Sequence, residues 1–331
     1  MNDDAAMNVQ NLSVSLPVGP GLLRAVNGVS FQIRRQKILG LVGESGCGKS
    51  VTCLALMGLL KGRGWQIEGA VDIGGACIYA LAQEDLRQLR GKEMAMIMQN
   101  PMSAFNPLLT IGQHFIETLQ NHCRMTAGEA VELAIANLAR VGVPQPARLL
   151  QRYPFQCSGG MLQRAMIAIA LSMRPAVLIA DEPTTSLDVT IQYQILSHLA
   201  SLREHYQTGI LLVSHDLGVI AQMADEVAVM YCGYIVEQAP VDELFDHPAH
   251  PYTRALMASR PQMQRKRLRP IDGQPPPLWN LKDRCPFEDR CHEVADSCGD
   301  YRMEPGICAP GHQVRCAKYA TGQEVILSEL A

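Results

Sequence analysis

The amino-acid sequence predicts an α/β fold. Hydrophobic runs of strand length alternate with segments of helical period between residues 177 and 230. One unbroken apolar run, Ile38–Val42, leads through a glycine-rich turn into an apolar segment of helical length, the opening of a βα unit. A long helical stretch separates these two regions and reads as an insertion in a core with a parallel sheet.

In chain order, residues 9 to about 97 are strand-rich. Residues 29–33 alternate apolar and polar, as in a half-exposed strand, and 38–42 form a strand buried on both faces. Residues 51–60 then have helical length. From about 100 to 175 the reading is helical, with 126–141 rich in alanine. Strands are expected at 177–180, 210–214 and 227–230, and helices at 191–203 and 217–224. After 259 the composition shifts. Residues 264–269 are basic and 273–277 are proline-rich, as in a linker, and a cysteine-rich tail follows. We therefore expect a domain over 7–258, with a helical subdomain at about 100–175, and an extension over 259–331.

The 331 residues are 47% hydrophobic but only 5% aromatic, so the core is expected to be aliphatic. The net charge of −3 gives no electrostatic case for nucleic acid or an anionic membrane as a partner. The first residues carry Asp3 and Asp4 and no basic stretch, unlike a signal peptide. The apolar runs fall short of a membrane span. Without a secretion signal, disulfides are not expected among the eleven cysteines. Cys47, Cys53, Cys77, Cys123, Cys157 and Cys232 are scattered and read as buried thiols, while five more crowd between Cys285 and Cys316.

Gly43, Glu44, Ser45, Gly46, Cys47, Gly48, Lys49 and Ser50, followed by Val51, fit G-x-x-x-x-G-K-[ST] between a buried strand and a helix. Glycines let backbone N–H groups wrap phosphate oxygens, and the helix N-terminus adds unpaired donors. Lys49 supplies a point charge for the β- and γ-phosphates, and the Ser50 hydroxyl suits Mg²⁺. Further on, the apolar strand at 177–180 ends in Asp181 and Glu182. Buried acids need a partner. Mg²⁺ is the natural one for Asp181, which leaves Glu182 to accept a proton from an attacking water.

Between these motifs lies Cys157-Ser158-Gly159-Gly160-Met161-Leu162-Gln163-Arg164, which resembles the signature motif of ABC ATPases. The likeness covers roughly residues 9–258. It implies a P-loop NTPase fold of the ABC type, with a mixed sheet, an inserted helical subdomain and here a small cysteine-rich C-terminal extension. It also implies ATP and Mg²⁺ as cofactors. Gln99 resembles the family's Q-loop glutamine, which touches Mg²⁺ and senses a transmembrane partner. Ser186, Leu187 and Asp188 resemble the D-loop, and His215 resembles the switch histidine at the γ-phosphate. Catalysis is thus expected of Glu182, His215 and Gln99, and Mg²⁺ binding of Ser50, Gln99 and Asp181. In this family two subunits face each other, so Ser158, Gly159, Gly160 and Gln163 are expected to act in trans on a nucleotide held by another chain. Two departures stand out. Cys157 replaces the usual leucine, and no adenine-stacking aromatic is evident near Leu16, Val18 and Arg24.

The segment His247-Pro248-Ala249-His250-Pro251-Tyr252-Thr253 resembles the HPxHPYT element of ATPases serving peptide, opine and nickel importers. That resemblance implies a second, non-identical ATPase, two membrane permease subunits and an extracytoplasmic substrate-binding protein. It also implies a peripheral position at the cytoplasmic face of the inner membrane. Residues 97–107 and 153–164 look more like the nickel-type subunits, whereas the tail points to the peptide type. The opening Cys285-Pro286-Phe287, ending at Arg290-Cys291, resembles the dipeptide-importer tail in which four cysteines bind a [4Fe–4S] cluster. By position Cys285, Cys291, Cys298 and Cys316 are the metal ligands and Cys308 is spare. Zinc and free thiols remain the rivals. The alternative function is a non-transport ABC ATPase, in DNA repair or regulation. The short interval between phosphate loop and signature, without heptads, argues against it.

Overall fold

The computed structural model describes residues 4–185, 188–259, 271–279, 281–282 and 284–320. The chain opens with strands β1 (Ala5–Val18), β2 (Gly21–Arg34) and β3 (Ile38–Val42), then helix α1 (Lys49–Leu56). Next come β4 (Gln66–Ile73), β5 (Ala76–Cys77), α2 (Gln83–Lys92) and β6 (Met94–Ile97). Four helices follow: α3 (Ile111–His122), α4 (Ala127–Arg140), α5 (Pro146–Leu150) and α6 (Gly159–Met173). Alternation resumes with β7 (Val177–Asp181), α7 (Val189–Tyr206), β8 (Gly209–Val213), α8 (Leu217–Met223) and β9 (Glu226–Tyr231). The last elements are β10 (Tyr234–Pro240), α9 (Val241–Asp246), α10 (Pro251–Ala258), β11 (Gly306–Ala309) and β12 (His312–Val314). The expected strands and helices between 177 and 230 all form, as does the inserted helical stretch. The basic run 264–269 lies outside the described residues.

The chain divides into two compact units, one drawn from 1–8, 32–38 and 71–213 and the other from 9–31, 39–70 and 214–331. In the first, β6, β7 and β8 lie side by side and parallel, with Met94 opposite Val177 and Val177 opposite Gly209. Every residue of β7 and β8 is buried, which explains their continuous apolar runs. The helical insertion starts its helices with complete capping boxes, Thr110 with Gln113 on α3 and Thr126 with Glu129 on α4. Its interior holds Phe115, Leu119, Ala130, Ala134 and Leu138. There the buried Asn137 amide donates to Ser172 Oγ at 2.7 Å, joining α4 to α6.

In the second unit the strand order is β11-β12-β10-β9-β3. Strand β3 runs parallel to β9, with Leu41 opposite Ala228. β9 turns back into β10 through Cys232 and Gly233, both at positive φ (45° and 85°), the geometry of a tight hairpin. The same unit carries the outer strands in the order β2-β1-β4. In the cysteine-rich tail, β11 and β12 form a hairpin that pairs onto β10, with Glu237 opposite Val314. The Pro310-Gly311 step supplies its turn, and Gly311 has φ 76°.

Candidate functional site

The second unit builds the phosphate loop. Buried β3 delivers the chain to Gly43, where a Cβ would come within 2.1 Å of the Met230 carbonyl oxygen. At Gly48, the N-cap of α1 with φ 110°, a Cβ would stand 2.3 Å from the Ala25 carbonyl oxygen. Both positions are therefore closed to any side chain. No side chain caps α1, so the first backbone N–H groups of the helix have no intrahelical partner. That end is a ready anion site. Lys49 is 7% exposed, and its ammonium folds back on the loop, donating to the carbonyls of Gly43 at 2.7 Å and Glu44 at 2.9 Å. Ser50 is exposed at the helix start.

The loop is braced by the segment that read as a branch marker. Glu237 accepts hydrogen bonds from the backbone N–H groups of Ala249 and His250, at 2.6 and 2.9 Å. His250 caps α10 by accepting the Tyr252 N–H at Nδ1, 3.0 Å away. Burial pushes its imidazole down to about 4, so it stays neutral. Tyr252, fully buried against Tyr231 and Phe287, accepts the Glu44 N–H at its phenolic oxygen, 2.9 Å away. The histidines and prolines of this segment thus aim one tyrosine at the phosphate loop.

The first unit builds the acidic site. Asp181 ends the buried strand β7 and is 4% exposed. Glu182 leaves the strand at φ 49°, a left-handed conformation uncommon for a residue with a side chain. Its N–H still reaches the Val213 carbonyl at 3.0 Å. Glu182 Oε2 accepts from Gln99 Nε2 at 3.0 Å and from Thr185 Oγ1 at 2.9 Å. Two residues singled out separately in the sequence therefore meet. Thr185 was not singled out, and its short spacing from Glu182 was the available signal.

The signature residues divide. Ser158 caps α6, accepting the Met161 N–H at 3.3 Å, and both Ser158 and Gly159 are exposed. Gly159 has open space where a Cβ would stand. Gln163 is 2% exposed, and its amide donates to the Pro183 carbonyl at 2.9 Å. It holds the loop after Glu182 within its own chain. Cys157 is half-buried and donates to the Tyr153 carbonyl at 3.4 Å; burial raises its thiol pKa, as suits a small apolar filler. Asp188 caps α7, accepting the Ile191 N–H at 3.0 Å, while Ser186 and Leu187 lie outside the described residues. His215 is exposed at the loop after β8.

Near the expected adenine position, the Arg24 N–H donates to the Leu278 carbonyl at 2.9 Å, and Leu23 pairs with Trp279 in an antiparallel bridge. Trp279 is 52% exposed. The chain just after the proline-rich linker thus lies along β2, a placement that no local pattern signalled.

Burial pushes the Cys285 thiol up to about 12, and the charges of Cys316, Cys291 and Cys298 add to the rise. Burial likewise raises Cys291 and Cys316, with Cys298 adding at each. Cys308 is raised to about 11 by burial and by Glu237 and Glu243, not by the other cysteines. The expected metal set is not preassembled, however. Among the described residues no three His, Cys, Asp or Glu side chains are grouped tightly enough to hold a metal ion.

Residues 26–185 match the family described as ABC transporter, and residues 236–298 match the oligopeptide/dipeptide transporter C-terminal region. An ATP-binding cassette solved as a dimer in a post-hydrolysis state, bound to ADP and Pi, superposes with a TM-score of 0.65 at 26% identity. That match covers 71% of this chain and 98% of the cassette. These matches define the class as an ATP-hydrolysing cassette of a transporter. The dipeptide transport ATP-binding protein DppD of Bacillus subtilis is 42% identical over 318 residues, 95% of this chain and 94% of its own. The oligopeptide transport ATP-binding protein AppD of the same organism is 44% identical over 300 residues, 89% and 91% of the two chains. A probable peptide ABC transporter ATP-binding protein of Sinorhizobium fredii is 42% identical over 95% of both chains. The chain belongs to the ATP-binding proteins of the ABC transporter family that carry the oligopeptide/dipeptide C-terminal region. Among the described residues no helix is long and apolar enough to cross a membrane.

Proposed function

We propose that this chain powers the import of peptides across the cytoplasmic membrane, from a peripheral position on its inner face. The observation that carries this reading is the near full-length likeness to peptide and dipeptide transport ATPases, tail included. Its partners are two permease subunits, an extracytoplasmic binding protein and a second, non-identical ATPase. Closure of that ATPase pair places Ser158, Gly159 and Gly160 of one chain on the nucleotide of the other. The exposed, uncluttered start of α6 supports this, since it offers a hydroxyl and backbone donors to an anion. Turnover is slow in either chain alone, because half of each phosphate clamp comes from its partner.

Within the site, the residues from Gly43 to Val51 hold the nucleotide phosphates. Ser50, Gln99 and Asp181 offer hydroxyl, amide and carboxylate oxygens, the hard donors that Mg²⁺ prefers. The metal supplies charge neutralisation at the phosphates when bound. Glu182 takes the proton of the attacking water. Gln99 and Thr185 fix its orientation, and the left-handed turn at Glu182 supports this role. His215 contacts the γ-phosphate, and Ser186, Leu187 and Asp188 lie at the contact between the two ATPases. Cys285, Cys291, Cys298 and Cys316 hold a [4Fe–4S] cluster. The contributions of neighbouring cysteines to the raised thiols of Cys285, Cys291 and Cys316 support that set.

Uptake by the reconstituted transporter, with its matched binding protein, tests the reading. Dipeptide or oligopeptide uptake that depends on ATP is expected. Uptake of nickel or a nickel chelate in its place would overturn the peptide assignment. DNA-stimulated ATPase activity without membrane partners would overturn the transport assignment altogether.

A further inference from the structure

The cysteine tail touches the phosphate loop through one side chain. Arg290 ends a short 3-10 turn, immediately before Cys291. Its guanidinium grips the Glu44 carboxylate with both arms, Nη1 to Oε2 at 2.8 Å and Nη2 to Oε1 at 3.1 Å. Nη1 also donates to the Tyr231 hydroxyl at 3.1 Å, and Nε donates to the Asp272 carbonyl at 2.8 Å. The Arg290 side chain is 4% exposed and that of Glu44 is 24% exposed. Its charge centre lies 5.8 Å from the Tyr231 ring and 5.7 Å from the Phe287 ring.

Glu44 is the second residue of a loop built to receive a polyanion. An unpaired carboxylate there repels phosphate and competes for Lys49. A bidentate guanidinium cancels that charge and fixes its direction, which a lysine point charge cannot do. Arg290 cannot move freely, because two aromatic rings and the Asp272 carbonyl hold it. Glu44 is therefore tied at its N–H by Tyr252 and at its carboxylate by Arg290. Both ties come from the C-terminal part of the chain.

We propose that Arg290 is a positioning residue of the nucleotide site. It neutralises and orients Glu44 so that the loop from Gly43 to Ser50 stays open to the polyphosphate of a nucleotide. The tail thereby becomes part of the nucleotide site, and whatever fixes Cys285 and Cys291 also fixes Arg290 between them. This rests on the reading that the loop binds ATP.

The test measures ATP affinity and steady-state ATPase of the purified full-length chain and of the assembled transporter. Four proteins are compared: wild type, R290A, R290K and the double variant E44Q/R290A. R290A is expected to weaken ATP binding roughly tenfold, with KM rising and kcat changing far less, because the carboxylate is left unpaired. E44Q/R290A is expected to recover most of that loss, since the repelling charge is gone. R290K keeps the charge without the two-armed grip and is expected to weaken binding less than R290A. This arm keeps a cation at the site and serves if R290A does not fold. A double variant no better than R290A, unchanged affinity in R290A, or an R290K that binds no more tightly than R290A would each overturn the proposal. Failure of the wild type to bind ATP would instead overturn the ATP-binding reading.

Discussion

The imidazole of His312 stands 2.7 Å from Glu237 Oε1, with both side chains closed to solvent. The other ring nitrogen lies 3.3 Å from Glu243 Oε1. Glu237 also holds the backbone of Ala249 and His250, so one buried carboxylate joins the tail hairpin to the segment that braces the phosphate loop. Cys308, Tyr319 and the neutral His250 are further titratable groups that feel its charge.

Burial alone would lower the pKa of His312, but the hydrogen bonds and charges of Glu237 and then Glu243 outweigh it and the net shift is upward. A group whose pKa rises on folding adds stability that is complete below its unfolded value, about 6.5. That stability is lost as the pH climbs through the higher folded value. H312Q should therefore destabilise the protein most at pH 6, by about 2 kcal/mol, and progressively less toward pH 9. Thermal melts of wild type and H312Q across that range check it. A gap between their melting temperatures that stays constant with pH would assign the effect to packing.

Replacing Glu182 by Gln keeps the shape of the side chain and removes its basicity. The variant should bind ATP as wild type does and lose at least about 100-fold in turnover. The closed ATPase pair should accumulate with ATP, visible as a larger species in size-exclusion chromatography. Residual ATPase near the wild-type rate would mean that another group takes the proton.

Gln163 gives a different outcome from its neighbours in the signature. Its buried amide serves Pro183, so Q163L leaves a buried carbonyl without its donor and should cost about 1–3 kcal/mol of stability. S158A removes an exposed cap on α6 and should cost about 1 kcal/mol. Under the trans reading of Ser158 it should also slow ATPase in the assembled pair while leaving ATP binding by the single chain intact. Melting temperatures and single-chain nucleotide affinities separate the two variants.

How far the sequence carried these conclusions follows from the physics of each feature. The phosphate loop and the Asp181-Glu182 strand end were legible because local chemistry defines them: glycines where no Cβ fits, and an apolar strand that stops at acids. The Gln163 contact was not, because it depends on which face of α6 turns inward. The contacts of Arg290 and His312 were invisible for another reason. Each joins residues more than sixty positions apart, Arg290 to Glu44 and His312 to Glu237, and no periodicity encodes such a pairing. The tail hairpin is too short for alternation to reveal it, and only its Pro310-Gly311 turn left a mark.

The cysteine set allows a last prediction with an internal control. The thiols of Cys285 and Cys316 are raised by burial and further by other cysteines of the proposed set, while Cys308 is raised by burial and by Glu237 and Glu243 and donates to the His312 carbonyl at 3.5 Å. With the proposed cluster bound, protein purified without oxygen should be brown and contain iron. C291S should lose the colour and the iron, whereas C308S should keep both, because Cys308 lies outside the proposed ligand set. Colourless wild-type protein with stoichiometric zinc, or equal loss of iron in C291S and C308S, would show the ligand set to be wrong.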